Sequence, residues 1–553
     1  MKRVFIIPLI LLKFCDISCD DTLVTVKQGT LRGSFLTTTT NFRFRAFQGI
    51  PYAAPPIGSL RFLAPEEPRP WKGILDATKN TIVCYTLKSD TLGESEDCLH
   101  LNVYTPVLSN RNATKLPVLL WIHGGGFSHG NALYSNFGPD FLIEKDIVIV
   151  TISYRLGPFG FLAAGDTIIP GNAGLKDQAA AIKWTFENIE SFGGDPSAIT
   201  IAGQSAGASS VGYQLLHEKN KGLFRGAVLE SGTPLNFWSY LSTDSSRDYV
   251  FDLAKQINAS IDFKNSSELV LEFLQNVDAE AIKEGSAYTK IARPLPVIEP
   301  IHDNAFLTES QYQLLKTGDF IQVPILIGTN SEEEIHKAKD LINLKKELDQ
   351  FESNPEKFIP SDFVVKDGVN RSEVGKAIRN LYLQDVPEDS KMGHIVKYLS
   401  HFQFTTAVIK HADLVSNYID VFFYVFSYDG PMGNVNVTIK GADKIDHAED
   451  PKYLFLKFDK SYSNTDLSKF PESDIITHKR LISLWSNFVK YLHPTPEISA
   501  LLQNITWPKF KLHDHKYVDI GRNLEVNKNP KSPYYKTWVE FYENWAKKPF
   551  ITF

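Results

Sequence analysis

Short apolar runs recur along this chain and are separated by polar or helix-forming segments. Near-continuous runs occupy 101–104, 116–122, 147–154, 198–202, 226–229, 323–327 and 421–426. Runs of this length without polar alternation predict strands buried on both faces, as in a parallel sheet covered by helices. Residues 174–192 carry apolar side chains at three- and four-residue steps, which predicts a helix. Strands that alternate with helices predict an α/β fold.

The flanking segments differ from this pattern. Residues 22–50 alternate around glycines and predict an antiparallel lead-in, while the proline- and glycine-rich stretch 47–65 predicts a loop. Residues 240–320 and 335–415 are more polar and favour helices, so we interpret them as helical insertions that shape a pocket. The chain has no Gly/Ser-rich linker, repeat or low-complexity tract. We therefore predict one domain over 20–553, with a large, mostly parallel central sheet and helices on both faces.

The first residues have the pattern of an export signal. Lys2 and Arg3 precede an apolar run of nine residues, Val4 to Leu12, which is too short to span a bilayer. We predict a signal peptide over 1–19 and a secreted protein. No later stretch approaches 18 uncharged apolar residues, so no membrane anchor is expected.

Cysteine use and glycosylation motifs agree with export. The mature chain would keep Cys84 and Cys98, and an even pair in an oxidising compartment predicts a disulfide. Closing a loop of about 15 residues stabilises a fold by roughly 3 kcal/mol in the chain-entropy model. The N-x-S/T motif, a predicted glycosylation site, occurs at Asn112, Asn258, Asn265, Asn370, Asn436 and Asn504.

Composition narrows the range of partners. Hydrophobic residues make up 43% and charged residues 22% of the chain, with a formal net charge of −6, as in an ordinary globular protein. A mildly acidic protein repels phosphate backbones, so nucleic acid is not an expected partner. The cysteines have too few neighbouring Cys or His ligands for a metal site. We predict neither a metal nor a cofactor.

The segment Gly203-Gln204-Ser205-Ala206-Gly207 lies between a predicted strand and a predicted helix. G-x-S-x-G in this context is typical of a nucleophile elbow, a sharp turn that lifts the serine hydroxyl clear of the backbone. Strand and helix then approach so closely that only glycine fits at positions 203 and 207. Ser205 is therefore the candidate nucleophile.

A serine hydroxyl needs a base, and the base needs an orienting carboxylate. In this arrangement the chain order is serine, acid, histidine. The strand at 323–327 is followed by three adjacent glutamates, Glu332, Glu333 and Glu334, and spacing alone does not choose among them. The loop after 421–426 contains a single histidine, His447, which is the candidate base.

Attack on an ester carbonyl builds negative charge on oxygen, which backbone N–H groups must stabilise. The Gly124-Gly125-Gly126 run directly after the strand at 116–122 suits this task, because glycine lets the backbone approach a substrate closely. The N–H of Ala206, the residue after the nucleophile, would supply a further donor.

Several motifs together resemble the type-B carboxylesterase/cholinesterase family of α/β-hydrolases: FGGDPSAITIAGQSAG, EDCLHLNVYTP, FQGIPYAAPPIGSLRF, LLWIHGGGF and LGPFGFLAAGD. The resemblance covers nearly the whole mature chain and implies an α/β-hydrolase fold. It implies that Ser205 is the nucleophile, Glu333 the acid and His447 the base, with Glu334 at the family's usual glycine. It also implies oxyanion donors at Gly125, Gly126 and Ala206, and it matches Cys84 and Cys98 to the family's first disulfide.

Within the family, the chain is similar to insect carboxylesterases. Gln204 replaces the commoner glutamate, and GQSAG, Arg61-Phe62 and Asp177-Gln178 resemble motifs of insect juvenile hormone esterases. Their G-x-x-H-x-x-D/E motif is half met, since His447 and Asp450 fit but Lys444 replaces the glycine. Arg61 taken alone indicates a structural ion pair. Residues 84–98 lack the tryptophan on which cholinesterases stack choline, so choline binding is not expected.

The leading hypothesis is a secreted serine carboxylesterase that acts on a small hydrophobic ester through an acyl-enzyme. One alternative is a catalytically silent, cholinesterase-like adhesion or binding protein, and another is a carrier that sequesters esters. Within the enzyme hypothesis, the substrate could be juvenile hormone or a pheromone or odorant ester. The sequence leaves the oligomeric state open.

Overall fold

The fold is organised around one 11-stranded sheet in the computed structural model, which describes residues 21–88, 93–108 and 114–553. The strands of the described chain are β1 (Leu23–Val26), β2 (Gly29–Arg32), β3 (Ser34–Thr37), β4 (Arg43–Pro51), β5 (Ile74–Asp76), β6 (Val83–Cys84), β7 (Glu94–Ser95), β8 (His100–Thr105), β9 (Leu116–Ile122), β10 (Val148–Ile152), β11 (Gly194–Gln204), β12 (Gly226–Glu230), β13 (Ile325–Asn330), β14 (Val421–Phe426), β15 (Lys516–Ile520) and β16 (Leu524–Lys528).

The central sheet is mostly parallel. Its strand order is β16-β15-β14-β13-β12-β11-β9-β10-β8-β4-β3. Every pair from β15 to β10 is parallel, whereas β16 at one edge and β8, β4 and β3 at the other pair antiparallel. The predicted fold class is confirmed.

The central strands bury both faces, as their unbroken apolar runs predict. Alternate residues of a strand point to opposite faces. Val118, Leu120 and Ile122 of β9 accordingly lie in one hydrophobic cluster, and Leu119 and Trp121 lie in the other. The sheet therefore separates two apolar cores, each covered by helices.

The helices are α1 (Tyr134–Phe137), α2 (Asp140–Ile143), α3 (Gly157–Phe161), α4 (Ala173–Asn188), α5 (Ala206–Leu216), α6 (Thr243–Ile257), α7 (Ser267–Asn276), α8 (Ala279–Ser286), α9 (Gln311–Thr317), α10 (Leu341–Ser353), α11 (Arg371–Leu383), α12 (Lys391–Ser400), α13 (Thr406–Val415), α14 (Glu472–Tyr491) and α15 (Tyr534–Trp545). Helices α4, α5 and α13 contribute to the first core, and α2 and α14 contribute to the second.

Both predicted insertions are helical. Segment 240–320 carries α6 to α9 between β12 and β13, and segment 335–415 carries α10 to α13 between β13 and β14. Helices α6 to α8 form a third hydrophobic cluster with Phe62 and Phe159. The insertions thus pack as structured layers against the ends of the sheet.

One detail of the N-terminal prediction is wrong. The stretch predicted as a loop from 47 begins inside β4, which pairs with β8 up to Pro51 through a register shift between Phe47 and Ile50. The shift leaves the Gly49 N–H without a ladder partner, and the Asn102 side chain accepts it at 2.9 Å. Within residues 22–50 the predicted antiparallel lead-in agrees with the structure, because β1 pairs with β2 and β3 pairs with β4 in antiparallel fashion. Strand β2 also pairs in parallel with β5, which lies outside that range.

The predicted disulfide between Cys84 and Cys98 is present. Residues 1–19, predicted as the signal peptide, and the sequon at Asn112 lie outside the described residues. Among the other sequons, Asn258 is half-buried and the remaining four asparagines are exposed. No helix in the described part of the chain is both long and apolar enough to cross a bilayer.

Candidate active site

Ser205 occupies the single residue between β11 and α5, with φ 60° and ψ −126°. This backbone conformation costs a non-glycine residue about 1–3 kcal/mol and persists only where its surroundings impose it. The Ser205 N–H donates to the Glu230 carbonyl at 2.8 Å, and its own carbonyl accepts from the Ser209 N–H at 2.9 Å. The turn is therefore held from both sides.

The glycines of the G-x-S-x-G motif allow the strand and helix to meet. A Cβ on Gly207 would collide with the Ile122 carbonyl of the neighbouring strand, and a Cβ on Gly203 would lie 2.5 Å from the Gly207 carbonyl. The sequence prediction that only glycine fits at these two positions agrees with this geometry.

His447 and Glu333 form a short pair across 114 residues of chain. The His447 Nδ1 atom lies 2.6 Å from Glu333 Oε2. The other oxygen, Oε1, accepts from the Thr329 hydroxyl at 2.6 Å and from the Asn330 N–H at 2.8 Å. Glu333 is fully buried, so these donors replace water and fix the carboxylate against the imidazole.

The three adjacent glutamates have different partners. Glu332 accepts from the Asp443 backbone N–H at 2.8 Å, and Glu334 lies 3.8 Å from the His336 imidazole. Among the three, Glu333 contacts the His447 ring. Side chains that follow one another beyond the end of β13 point in different directions, which is why linear spacing could not separate them.

The environment of His447 favours its protonated form. Burial opposes protonation, but the hydrogen bond to Glu333 and the charge of that carboxylate outweigh burial, and the pKa of His447 is raised. Such a shift means that the imidazole binds a proton more firmly than a free histidine does. Phe404, from the second insertion, packs its ring 4.4 Å from the imidazole.

The free Nε2 atom of His447 reaches the nucleophile elbow at Gln204. It lies 3.2 Å from the Gln204 amide nitrogen, while the Ser205 hydroxyl has no hydrogen-bond partner among the described residues. Sequence reasoning noted Gln204 only as a departure from the usual glutamate. In unliganded enzymes catalytic hydrogen bonds are commonly long and tighten when substrate is bound.

The glycine loop after β9 has the backbone that oxyanion stabilisation needs. Gly125 and Gly126 have φ values of +118° and +58°, and a Cβ on Gly125 would collide with the His129 carbonyl. The Ser128 and His129 N–H groups both donate to the Gly125 carbonyl at 3.1 Å, which holds the loop. Ala206 is the first residue of α5, so its N–H has no partner within the helix.

A buried carboxylate that sequence reasoning did not interpret lies close behind the pair. Asp450 accepts from the Tyr424 hydroxyl at 2.8 Å and from the Asn330 amide at 3.1 Å. Burial, followed by the charge of Glu333, raises the pKa of Asp450 to about 6. The half-met G-x-x-H-x-x-D/E motif was the available signal, and its lysine, Lys444, pairs with Asp429 at 2.8 Å instead.

The other subfamily motifs lie in structural networks. Arg61 makes the predicted ion pair, with two bonds of 2.6 Å to Glu96. Asp177 is fully buried and accepts from the Arg155 guanidinium at 2.7 and 2.8 Å. Gln178 donates to the Ser210 hydroxyl at 3.0 Å.

A cavity of about 390 Å³ opens beside the nucleophile elbow. Its lining includes Gly124, Gln204 and Ala448, which are the chain neighbours of Gly125, Ser205 and His447. In the described residues, no group of three or more His, Cys, Asp or Glu side chains could hold a metal ion.

The sheet order and the strained serine at the carboxyl end of β11 define an α/β-hydrolase. Comparison with known proteins narrows this class. The sequence pattern of the Carboxylesterase family matches residues 20–538, so the chain belongs to that family and is a carboxylic ester hydrolase.

Three insect relatives illustrate the similarity. The chain is 34% identical to "Juvenile hormone esterase" of Tribolium castaneum, over 90% of this chain and 87% of the relative. It is 30% identical to "Venom carboxylesterase-6" of Apis mellifera, over 94% and 95%. It is 31% identical to "Esterase FE4" of Myzus persicae, over 86% of each.

Proposed function

We propose that this protein is a secreted serine carboxylesterase that hydrolyses carboxylic esters through an acyl-enzyme on Ser205. The hydroxyl attacks the ester carbonyl while His447 takes its proton, and the alcohol leaves with that proton. Water then attacks the acyl-enzyme with the same histidine as base and regenerates the serine.

The single observation that carries the proposal is the 2.6 Å pair of Glu333 and His447 with the far ring nitrogen turned to the elbow. Glu333 holds the imidazole so that Nδ1 carries the proton and Nε2 can accept one. It also stabilises the imidazolium that forms during attack.

We assign the stabilisation of the negative charge on the carbonyl oxygen to the N–H groups of Gly125, Gly126 and Ala206. In this proposal they act on the tetrahedral intermediate, and each donor contributes about 3 kcal/mol to transition-state stabilisation. A silent adhesion protein or an ester carrier would not require a strained serine beside a paired histidine.

The direct test measures p-nitrophenyl acetate turnover and labelling by a fluorophosphonate probe. Wild-type protein should show both, and Ser205→Ala should lose both while keeping its circular dichroism spectrum. Ser209→Ala, which changes a neighbouring buried serine, is the matched control. Turnover that survives in Ser205→Ala would overturn the assignment of the nucleophile.

Export, glycosylation and domain organisation belong to the same proposal. The charged and apolar N-terminus, the disulfide and four exposed sequons support a mature, single-domain glycoprotein that begins near residue 20. Expression in insect cells should deliver the protein to the medium, and a glycosidase that removes N-linked sugars should increase its mobility on a gel. Retention of unglycosylated protein in the cytosol would contradict this part.

Juvenile hormone is the narrower substrate hypothesis. The Tribolium relative and the GQSAG motif support it, whereas Lys444 in place of the motif glycine does not. Comparing kcat/KM for a juvenile-hormone-like methyl ester, a pheromone-like acetate and a short acyl ester decides among the alternatives.

A further inference from the structure

The cavity beside the nucleophile elbow is positively charged. Three of its lining residues are lysines, Lys88, Lys452 and Lys457, and the described lining contains no Asp or Glu. Gln204, which forms part of the wall, is neutral. We name this space the basic cavity.

Two of these lysines lack a compensating carboxylate. Within residues 21–88, 93–108 and 114–553, no carboxylate lies within 4 Å of the ammonium of Lys88 or Lys457. The charge of Lys457 lowers the pKa of Asp459 as a minor contribution behind hydrogen bonds and burial. Lys452 differs, because its ammonium donates to the Gly433 carbonyl and its charge interacts with Glu449.

A further cation lies on the oxyanion side. The Arg293 Nη1 atom, from the first insertion, lies 2.8 Å from where a Cβ on Gly126 would be. Its guanidinium has no hydrogen bond or ion pair among the described residues, and burial lowers its pKa. Uncompensated positive charge therefore borders the reacting centre at both the cavity and the glycine loop.

His129, on that loop, is within the field of both groups. Burial and then the charges of Lys88, His123 and Arg293 lower the pKa of His129 to about 4, so the ring is neutral at pH 7. Burial is the larger cause of this lowered pKa, and the positive charges of Lys88 and Arg293, from two separate segments of the chain, add to it.

We propose that the basic cavity binds an anionic oxygen group, a carboxylate or a phosphate, carried by the ester substrate close to its scissile bond. This inference rests on the proposed function, because it places the anion next to Ser205. An ammonium at a protein surface attracts an anion more strongly than one in bulk water does, because the effective dielectric there is lower. The cavity borders the neighbours of all three proposed reacting positions, so the anion and the ester belong to one small molecule.

The test compares matched aryl acetates: methyl 4-acetoxybenzoate, 4-acetoxybenzoate and 4-acetoxyphenyl phosphate. Each kcat/KM is divided by the rate at which the neutral nucleophile imidazole cleaves the same acetate. This corrects for leaving-group reactivity without the repulsion that hydroxide would meet at the anionic esters. We expect the carboxylate or the phosphate to exceed the neutral ester at least tenfold, and the larger value identifies the anion. Equal or lower values for both anions would overturn the inference, whereas no turnover of any ester would overturn the proposed function instead.

Variants locate the effect. Lys457→Gln and Lys88→Gln should each lower the preference for the anionic ester about threefold to tenfold, mainly through KM, and the double variant should abolish it. Turnover of the neutral ester serves as the folding check. Lys528→Gln, at an exposed lysine paired with Asp514, is the control for overall charge. An equal loss in Lys528→Gln, or an undiminished preference in the double variant, would contradict the proposal.

Discussion

The two sides of His447 have opposite charge and opposite access to water. Behind the ring lie the buried carboxylates Glu333 and Asp450. The buried Glu449, in the same loop as His447, accepts from the Asp446 N–H at 2.6 Å. In front lies the basic cavity. Both sides are built by one short loop, since Asp450 and Lys452 are two residues apart.

The difference between the buried carboxylates and the lysines of the basic cavity shows how burial changes the behaviour of charged groups. Burial raises the pKa of Asp450 to about 6 and that of Glu449 to about 8, because a low dielectric disfavours the ionised form. Each of these carboxylates has hydrogen-bond donors, as buried polar groups require. Among the described residues Lys88 and Lys457 have no carboxylate partner, and Lys88 is exposed to solvent. The rear thus fixes the imidazole that we propose as the base, and the front is the cavity that we propose to bind an anion.

The largest expected effect comes from the rear. Glu333→Gln keeps the shape of the side chain but removes the charge that orients His447 and stabilises its protonated form, so we expect kcat to fall about 10⁴-fold. Glu334→Gln, at a neighbour that does not contact the ring, should change kcat less than tenfold. Steady-state kinetics on a neutral ester provides the measurement, and a larger loss in Glu334→Gln would assign the acid elsewhere.

The next effect concerns the glycine loop. Gly125→Ala introduces a Cβ that collides with the His129 carbonyl. The loop must then shift, and its N–H groups no longer point to the position proposed for the oxyanion. We expect kcat to fall about 10²–10³-fold. Gly368→Ala is the matched control, because Gly368 also has a left-handed φ, +82°, but has open space around it. If both variants lose activity equally, the loop has no special part in catalysis.

The pH dependence of kcat/KM tests how the buried carboxylates Glu333 and Asp450 affect the pKa of His447. As the proposed base, His447 must be unprotonated to accept the serine proton, and Glu333 raises its pKa. We therefore expect kcat/KM to fall about tenfold per pH unit below a pKa that is higher than 6.5. Asp450→Asn removes a negative charge that favours the imidazolium and should move this acid limb to lower pH. A wild-type limb below pH 6.5, measured on a neutral ester, would contradict the assignment.

The smallest expected effect is the salt dependence of kcat/KM, which tests whether the basic cavity attracts an anionic ester. Salt shortens the Debye length from about 30 Å at 0.01 M to about 3 Å at 1 M. The kcat/KM for 4-acetoxybenzoate should therefore fall a few-fold over this range, while that for its methyl ester should stay nearly constant. Parallel salt dependence of the two esters would show that the cavity does not distinguish charge.

The strands and the elbow could be predicted because their signals are local. Seven apolar runs fall on sheet strands, and Ser205 follows β11 as the G-x-S-x-G pattern requires. The continuation of β4 to Pro51 could not be predicted, because it depends on pairing with β8 and on the Asn102 side chain about 50 residues away. Arg61 was predicted as an ion pair, but its partner Glu96 was not.

The residues of the candidate active site also divide into those that local sequence could predict and those that depend on long-range contacts. The order of serine, glutamate and histidine could be predicted, whereas the selection of Glu333 from three neighbours by geometry required the turn after β13. The contact of Gln204 with His447 and the approach of Arg293 to Gly126 join segments separated by 243 and 167 residues. No linear pattern encodes such distances.

Sequence by itself determined the fold class, the two cysteines that pair and the small set of residues able to perform ester chemistry, since each depends on residue type, short spacing and order along the chain. Tertiary structure showed by direct contact which of the three glutamates holds the histidine, and it alone decided which amide touches the ring and which cations border the site. Those outcomes depend on how the loops at the carboxyl ends of separate strands converge, and there burial sets the strength of every charge.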